Sequence, residues 1–179
     1  FTLLVLSDNA LLTNSTHGVI GRNATAQSNE VQLLSATARW LLGNNLFVGS
    51  NGAFNRLVVS NGAFVNNNNG TLGDSASSSN NFALVTGSGS FWTNRGGLTV
   101  GNFGPGNQLI VSNGARVENF DGVVANGVSS SNNSALVVGS GSLWTNRGDL
   151  TVGFLGRNNQ LLISNGGRVT HNVNGEVGL

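Results

Sequence analysis

The sequence contains no cysteine, no lysine and a single proline among its 179 residues. Without cysteine, disulfide bonds, thiolate chemistry and cysteine-ligated metal sites are excluded, and the chain suits either redox compartment. Charged side chains make up only 8% of the residues, where about a quarter is usual for a soluble protein. The eight arginines are scattered and the net charge is only +1, so we expect no basic patch for nucleic acid.

Long apolar segments and a targeting signal are missing too. No apolar run approaches the roughly 20 residues that a membrane-spanning helix requires, so membrane insertion is not expected. The chain begins at Phe1 without a methionine or a basic, apolar leader, which we interpret as a mature product or a fragment of a longer protein. Disorder is not expected either, because the net charge is small and the apolar residues are regularly spaced.

Asparagine and glycine, with 29 and 27 residues, take the place of the charged side chains. Asparagine also recurs at a fixed interval. Six asparagines lie at consecutive steps of 26 residues, and we call them the asparagine ladder: Asn29, Asn55, Asn81, Asn107, Asn133 and Asn159. A stricter period of 52 residues relates Trp40, Trp92 and Trp144. Self-similarity at a fixed period is typical of repeat architectures.

Apolar columns appear when the sequence is written in rows of 26 residues. One column holds Val5, Val31, Leu57, Ala83, Leu109, Ala135 and Leu161. A second apolar column lies two residues further on, and this spacing of two predicts strands rather than helices. Another column, which we also expect to face the core, holds Thr13, Arg39, Val65, Phe91, Val117, Leu143 and Val169. Glycine and asparagine between the columns tolerate the positive φ of tight corners.

These patterns predict an all-β fold, a single-stranded parallel β-solenoid of about seven coils with 26 residues and three short strands each. Hairpins with Asn-Gly turns are an alternative, but they give no reason for one residue type to recur every 26 positions. Right-handed coiling is expected by analogy with parallel crossovers. Residues 1–179 would form one domain, with a partial repeat at 1–28 and two-coil repeats at 29–80, 81–132 and 133–179.

Two segments resemble the repeats of a known class of proteins. Residues 135–146 read Ala-Leu-Val-Val-Gly-Ser-Gly-Ser-Leu-Trp-Thr-Asn, and residues 107–114 read Asn-Gln-Leu-Ile-Val-Ser-Asn-Gly. Both are similar to repeats of very large secreted bacterial β-helix proteins, the autotransporter- and adhesin-like surface proteins. The resemblance extends over nearly the whole chain and implies an extracellular or cell-surface location. The export and anchoring modules of that class are absent from this sequence.

The asparagine ladder and the tryptophans are the most specific candidates for a role. Stacked amides can hydrogen-bond from coil to coil, which would lock the register, although asparagine also simply suits a turn. If Phe91 and Leu143 point inward, the adjacent Trp92 and Trp144 point outward. Trp40, Trp92 and Trp144 would then pack against a neighbouring rod, cover a local gap, or stack on sugar rings.

Other candidate sites are weaker. Asn14, Asn23, Asn69 and Asn132 lie in Asn-x-Ser/Thr sequons and are possible glycosylation sites. Glu118 and Asp121 are the only acidic residues close together in sequence, and two carboxylates could form an acid–base pair. A solvated pair is the simpler reading, because no other nearby residue suggests a substrate cleft. His17 and His171 lie at opposite ends of the chain. We therefore predict no catalytic residue, no metal and no cofactor.

The predicted ends of the solenoid suggest a function. Open strand edges template pairing with another chain unless they are blunted, and both ends of this chain are apolar. We therefore expect a self-assembling extracellular structural protein that stacks head-to-tail into a homopolymeric fibre. The alternative is a repeat segment of a larger adhesin that binds polysaccharide through the tryptophan face, with a polysaccharide-cleaving β-helix enzyme as the least favoured reading.

Overall fold

The computed structural model describes residues 1–178, and within that range every regular element is a β-strand. Twenty-one strands form three seven-stranded parallel sheets. This arrangement confirms the predicted parallel β-solenoid of seven coils. Right-handed coiling stays a prediction. No helix within the described range is long and apolar enough to cross a membrane.

Each coil contributes one strand to each sheet. Sheet A consists of β1 (Leu3–Leu6), β4 (Glu30–Leu33), β7 (Arg56–Ser60), β10 (Phe82–Thr86), β13 (Gln108–Ser112), β16 (Ser134–Val138) and β19 (Gln160–Ser164). Sheet B consists of β2 (Leu11–Asn14), β5 (Arg39–Leu42), β8 (Phe64–Asn67), β11 (Phe91–Asn94), β14 (Arg116–Asn119), β17 (Leu143–Asn146) and β20 (Arg168–His171). Sheet C consists of β3 (Gly18–Ile20), β6 (Leu46–Val48), β9 (Gly70–Leu72), β12 (Leu98–Val100), β15 (Gly122–Val124), β18 (Leu150–Val152) and β21 (Gly175–Val177).

From β4 to β19 the register of sheet A follows the 26-residue period, but the register of sheet B does not. Between β1 and β4 the step is 27 residues, so the prediction that Val5 lies in the inward column is wrong, and Leu4 takes that position. In sheet A, Ala83 pairs with Leu57 and Leu109. In sheet B, Trp92 pairs with Val65 and Val117, so that the steps alternate between 27 and 25 residues. Two kinds of coil therefore alternate. We call those that contain Trp40, Trp92 or Trp144 Trp coils, and the others Val coils.

Alternating corner lengths cause this change of register. In one Val coil the corners span residues 61–63, 68–69 and 73–81, whereas in the next Trp coil they span 87–90, 95–97 and 101–107. The first two corners gain one residue each and the third loses two. The coil length is unchanged, but sheets B and C move relative to a strict 26-residue column.

This shift overturns the predicted orientation of the tryptophans. The prediction that Phe91 and Leu143 face the core is wrong, because both lie half-buried on the outer face of sheet B. Trp92 and Trp144 are fully buried inside the tube, and Trp40 is only 4% exposed. The physical reason is that a one-residue change of register sends every side chain of a strand to the opposite face of the sheet.

Large and small side chains alternate between neighbouring coils of the core. Leu98 of a Trp coil pairs with Gly70 and Gly122 of the adjacent Val coils. A Cβ atom on Gly70 would lie 2.9 Å from Cζ2 of Trp92. In sheet A the Trp coils instead carry the small residue, Ala83, against Leu57. This compensation lets the tube keep one cross-section at native packing density.

The residue before each ladder asparagine adopts the left-handed conformation. These residues have φ between 55° and 70°, and they are Ser28, Phe54, Asn80, Gly106, Asn132 and Asn158. Asparagine and glycine accept this conformation at little cost, whereas a bulky side chain in it is an outlier. Phe54, with φ 59°, is therefore in an unfavourable position, and its side chain is 55% exposed.

Replacing Phe54 with asparagine is expected to raise the free energy of unfolding by about 0.5–1 kcal/mol, because the left-handed penalty falls. The change also matches the residue type found at Asn80 and Asn132. Denaturant unfolding followed by circular dichroism measures the effect. Phe103→Asn is the matched control, since Phe103 is exposed but is not among the positive-φ residues. Equal effects of the two changes would contradict the backbone explanation.

Candidate functional site

The asparagine ladder runs along the corner that leads from sheet C to sheet A. From Asn55 onward, Oδ1 of each ladder asparagine accepts two hydrogen bonds from the asparagine one coil earlier. Oδ1 of Asn107, for example, accepts from the backbone N–H of Asn81 at 2.9 Å and from its Nδ2 at 3.1 Å. The same pair of bonds recurs at all five steps of the ladder, from Asn29 to Asn159.

The ladder is buried and its amide nitrogens have further acceptors. Asn55, Asn81 and Asn107 are completely inaccessible to solvent. The second Nδ2 hydrogen of Asn81 goes to Oγ of Ser78, and that of Asn107 goes to the carbonyl of Gly104. Within residues 1–178 no buried side-chain nitrogen or oxygen lacks a hydrogen-bond partner. A fully satisfied buried network of this kind rigidifies its surroundings, and here it joins each corner to the next.

The tryptophans belong to a second polar column, inside the tube, that the sequence analysis missed. Nε1 of Trp92 donates to Oδ1 of Asn67 at 2.7 Å, and Nε1 of Trp144 donates to Oδ1 of Asn119 at 2.6 Å. Trp40 makes the corresponding bond to Asn14 at 3.0 Å. The signal for this column is an asparagine two residues after Trp92, Trp144 and their equivalent valines, although Trp40 is followed by Leu42 instead. These asparagines are Asn67, Asn94, Asn119 and Asn146.

This column removes the tryptophans from the surface. Asn67 donates from Nδ2 to Oδ1 of Asn94 at 2.7 Å, and both asparagines are fully buried. The indole rings are therefore held by core packing and by hydrogen bonds to the coil below. The prediction that Trp40, Trp92 and Trp144 contact a glycan or a neighbouring rod is wrong, because rings inside the tube reach neither.

The acidic residues near Glu118 take part in local interactions. Oε1 of Glu118 lies 3.2 Å from Nε of Arg147. Asp121 accepts a hydrogen bond at Oδ1 from the backbone N–H of Asp149 at 2.9 Å, and Asp149 accepts one from that of Asn174 at 2.8 Å. Among residues 1–178, no three histidine, aspartate or glutamate side chains group as a metal site would need. That the protein is not an enzyme stays a prediction.

The four sequon asparagines differ in accessibility. Asn23 and Asn132 are exposed at corners, whereas Asn14 and Asn69 are half-buried. Nδ2 of Asn69 donates to Oδ1 of Asn45 at 3.1 Å, and its Oδ1 accepts from the N–H of Gly97 at 2.9 Å. Oδ1 of Asn14 accepts from Trp40. A glycan on Asn14 or Asn69 would disrupt these bonds, so Asn23 and Asn132 are the accessible candidates.

Comparison with protein-family models, with curated proteins and with solved structures gives no match for this chain. The two ends of the described tube are the most distinctive surfaces of the solenoid.

Both ends of the described tube expose positions that are core positions elsewhere. At one end, Leu4 faces inward in register with the buried Val31, yet it is 43% exposed. At the other end, Ile163 is in register with the buried Val137, yet it is 46% exposed. An apolar hollow of about 340 Å³ opens beside Leu4. Within residues 1–178, one edge of each of the strands β1 to β3 and β19 to β21 has no strand partner.

Proposed function

We propose that this chain is a structural, extracellular protein whose solenoids stack end to end into a fibre. The observation that carries the proposal is the pair of open apolar ends, each presenting three unpaired parallel strand edges within the described range. Unprotected edges of this kind template further pairing. The resemblance of the repeats to secreted bacterial surface proteins supports the extracellular location. The partner is a second copy of the chain, and we propose neither catalysis nor a cofactor.

The two ends are complementary when one copy is placed on another. Inward-facing apolar residues of the last coil would meet inward-facing apolar residues of the first coil, and a polar pair would meet beside them. The facing pairs would be Leu161 with Leu4, Ile163 with Leu6, Val169 with Leu12, and His171 with Asn14. Stacking would thus continue each sheet at the usual strand spacing of about 4.8 Å.

The junction would be less well filled than the interior. The first and last coils both carry glycine in sheet C, so that Gly175 would face Gly18, whereas elsewhere glycine faces leucine. A small void costs stability because its lining atoms lose contacts. Fibres should therefore separate at junctions before individual solenoids unfold.

Replacing Leu4 with glutamate is expected to abolish fibre growth, because a carboxylate would be buried without a partner in the junction. Light scattering over a concentration series and electron microscopy measure the effect. Leu3→Glu is the matched control, since Leu3 is equally exposed, at 46% against 43%, but its side chain points outward and should leave growth intact. Circular dichroism checks that both variants fold.

Three results would contradict the fibre. The unmodified chain could remain monomeric at millimolar concentration, or Leu4→Glu could assemble as readily as Leu3→Glu. A natural product well above 18.4 kDa, in which further coils of the same chain cover both ends, would also contradict stacking between separate chains.

The adhesin alternative loses its main support. It assigned polysaccharide binding to a face of exposed tryptophans, and all three rings are buried.

A further inference from the structure

The outer face of sheet A carries an apolar column that neither the fold nor the ends require. In β10, β13 and β16 the central residue points away from the core, between two buried neighbours. Val58 of β7 and Leu162 of β19 hold the same position in register, with Val58 only 8% exposed and Leu162 42% exposed. We call these residues the apolar stripe: Val58, Leu84, Ile110, Leu136 and Leu162. They are in direct register, so the stripe is a straight ridge of side chains about 4.8 Å apart.

The stripe differs from the outer faces of the other two sheets. A sheet with one solvated face normally alternates apolar inward and polar outward residues. Sheet C mixes the two kinds of residue: Thr71, Thr99 and Thr151 point outward, but so do Val19, Phe47 and Val123, so no unbroken apolar column forms there. In sheet A the stripe and its flanks carry no charge from β10 to β19. The flanking outward residues are Phe82, Gln108, Ser134, Gln160, Thr86, Ser112, Val138 and Ser164.

Charge is confined to one end of this face. Glu30 and Arg56 are the charged outward residues of sheet A within the described range, and they pair with each other at 3.5 Å. Arg56 also covers the ring of Phe82, with its Cζ 5.1 Å from the ring centroid. A surface that meets another copy of itself must avoid burying like charges, and this face meets that condition.

We propose that the outer face of sheet A is a self-complementary interface, on which a second copy of the chain packs sheet against sheet. The twofold described below would bring together the five strands β7 to β19, a face that measures about 16 Å along the strands and about 24 Å along the axis, by standard strand dimensions. Two such faces would cover about 800 Å² in total, the size of a weak, reversible contact rather than of a tight interface. The parallel ridges have the same spacing in both copies, so they can interdigitate.

A twofold axis near Ile110, the central residue of the stripe, would complete the contact. It would bring Leu84 against the partner's Leu136 and Val58 against the partner's Leu162. Because the open ends take no part, this pairing is independent of end-to-end stacking. Together the two contacts would bundle fibres side by side.

The test is sedimentation equilibrium of Leu4→Glu chains, in which end-to-end growth is blocked, with either Ile110→Lys or Thr99→Lys added. We expect the Leu4→Glu parent to form a dimer. Adding Ile110→Lys should raise the dimer's Kd at least about tenfold, because a tenfold change corresponds to only 1.4 kcal/mol of binding free energy. Adding Thr99→Lys should leave the Kd unchanged. A parent that stays monomeric at several hundred micromolar, or equal effects of the two lysines, would overturn the proposal. Neither of these two results bears on the fibre proposal, which is tested separately by comparing fibre growth of Leu4→Glu and Leu3→Glu.

A single thiol provides a second measurement, since the chain has no cysteine. Packed sheets lie about 10 Å apart, so a bis-maleimide of that span should join Ile110→Cys chains near the twofold axis. Thr99→Cys, on the outer face of sheet C, should give little product. Equal yields from the two positions would show that the cross-links arise from random collision and would overturn the assignment.

Discussion

Trp92→Ala is expected to lower the free energy of unfolding by about 3–5 kcal/mol, the range typical of removing a large buried aromatic side chain. The ring is completely inaccessible and fills the space that Gly70 leaves in the coil below. Its loss would also leave Oδ1 of Asn67 without the Nε1 donor that lies 2.7 Å away. The cavity and the lost bond act together. Chemical denaturation followed by circular dichroism measures the change.

Phe91 provides the control for this prediction because it is adjacent to Trp92 and faces outward. Its ring contacts that of Phe64 across the strand, with centroids 5.7 Å apart. An aromatic pair of this kind is worth about 0.5–1.5 kcal/mol, so Phe91→Ala should cost much less than Trp92→Ala. A larger loss for Phe91→Ala would restore the orientation that the sequence alone predicted.

Asn107→Ala is the second change with a large expected effect, a loss of about 2–5 kcal/mol. Oδ1 of Asn107 is the acceptor for both the backbone N–H and Nδ2 of Asn81. Each buried donor left unpaired costs about 1–3 kcal/mol, and both Asn81 and Asn107 are completely inaccessible to solvent. The thermal midpoint and the denaturant midpoint should both fall.

Gln108→Ala is the matched control for the ladder, because Gln108 follows Asn107 directly and points outward from sheet A. Its Nε2 donates only to Oγ of Ser134, at a half-buried site. We expect a loss below about 1 kcal/mol, as for most partly exposed hydrogen bonds. Similar losses at the two positions would mean that the ladder asparagine has no special role.

Sheet A shows how far the sequence could be read correctly. From β4 onward, each strand of this sheet starts just after a ladder asparagine, and the ladder repeats every 26 residues without exception. The inward positions, such as Leu57 and Leu109, therefore keep a constant distance from a fixed reference. From β4 onward, the columns drawn from the sequence coincide with the hydrogen-bonded register of this sheet, whereas in β1 the column chose Val5 in place of Leu4.

Sheet B shows why the remainder was misread. Its strands are reached only after the first corner, whose length alternates between three and four residues from the third coil onward and is four and five residues in the first two coils. Nothing in a strict 26-residue column reveals that alternation, because the longer corners of one coil are offset by a shorter one later. The valine of one coil thus belongs beneath the tryptophan of the next, as Val65 lies beneath Trp92. The repeated asparagine two residues further on was the available clue.

The apolar stripe escaped sequence analysis for a different reason. Its residues also recur every 26 positions, but each stands between two core residues, as Leu84 stands between Ala83 and Val85. A continuous apolar run is typical of a strand that is buried on both faces. The sequence could not show that only one face of this sheet is covered within the chain.

The alternation of Trp and Val coils limits how such a chain can change in length. Insertion or loss of one coil would bring tryptophan against tryptophan, or glycine against glycine, at the new seam. Insertion or loss of two coils preserves every contact between unlike neighbours. Evolutionary changes in repeat number should therefore proceed in steps of 52 residues, the period that relates Trp40, Trp92 and Trp144. The same step applies to any attempt to engineer a longer or shorter rod.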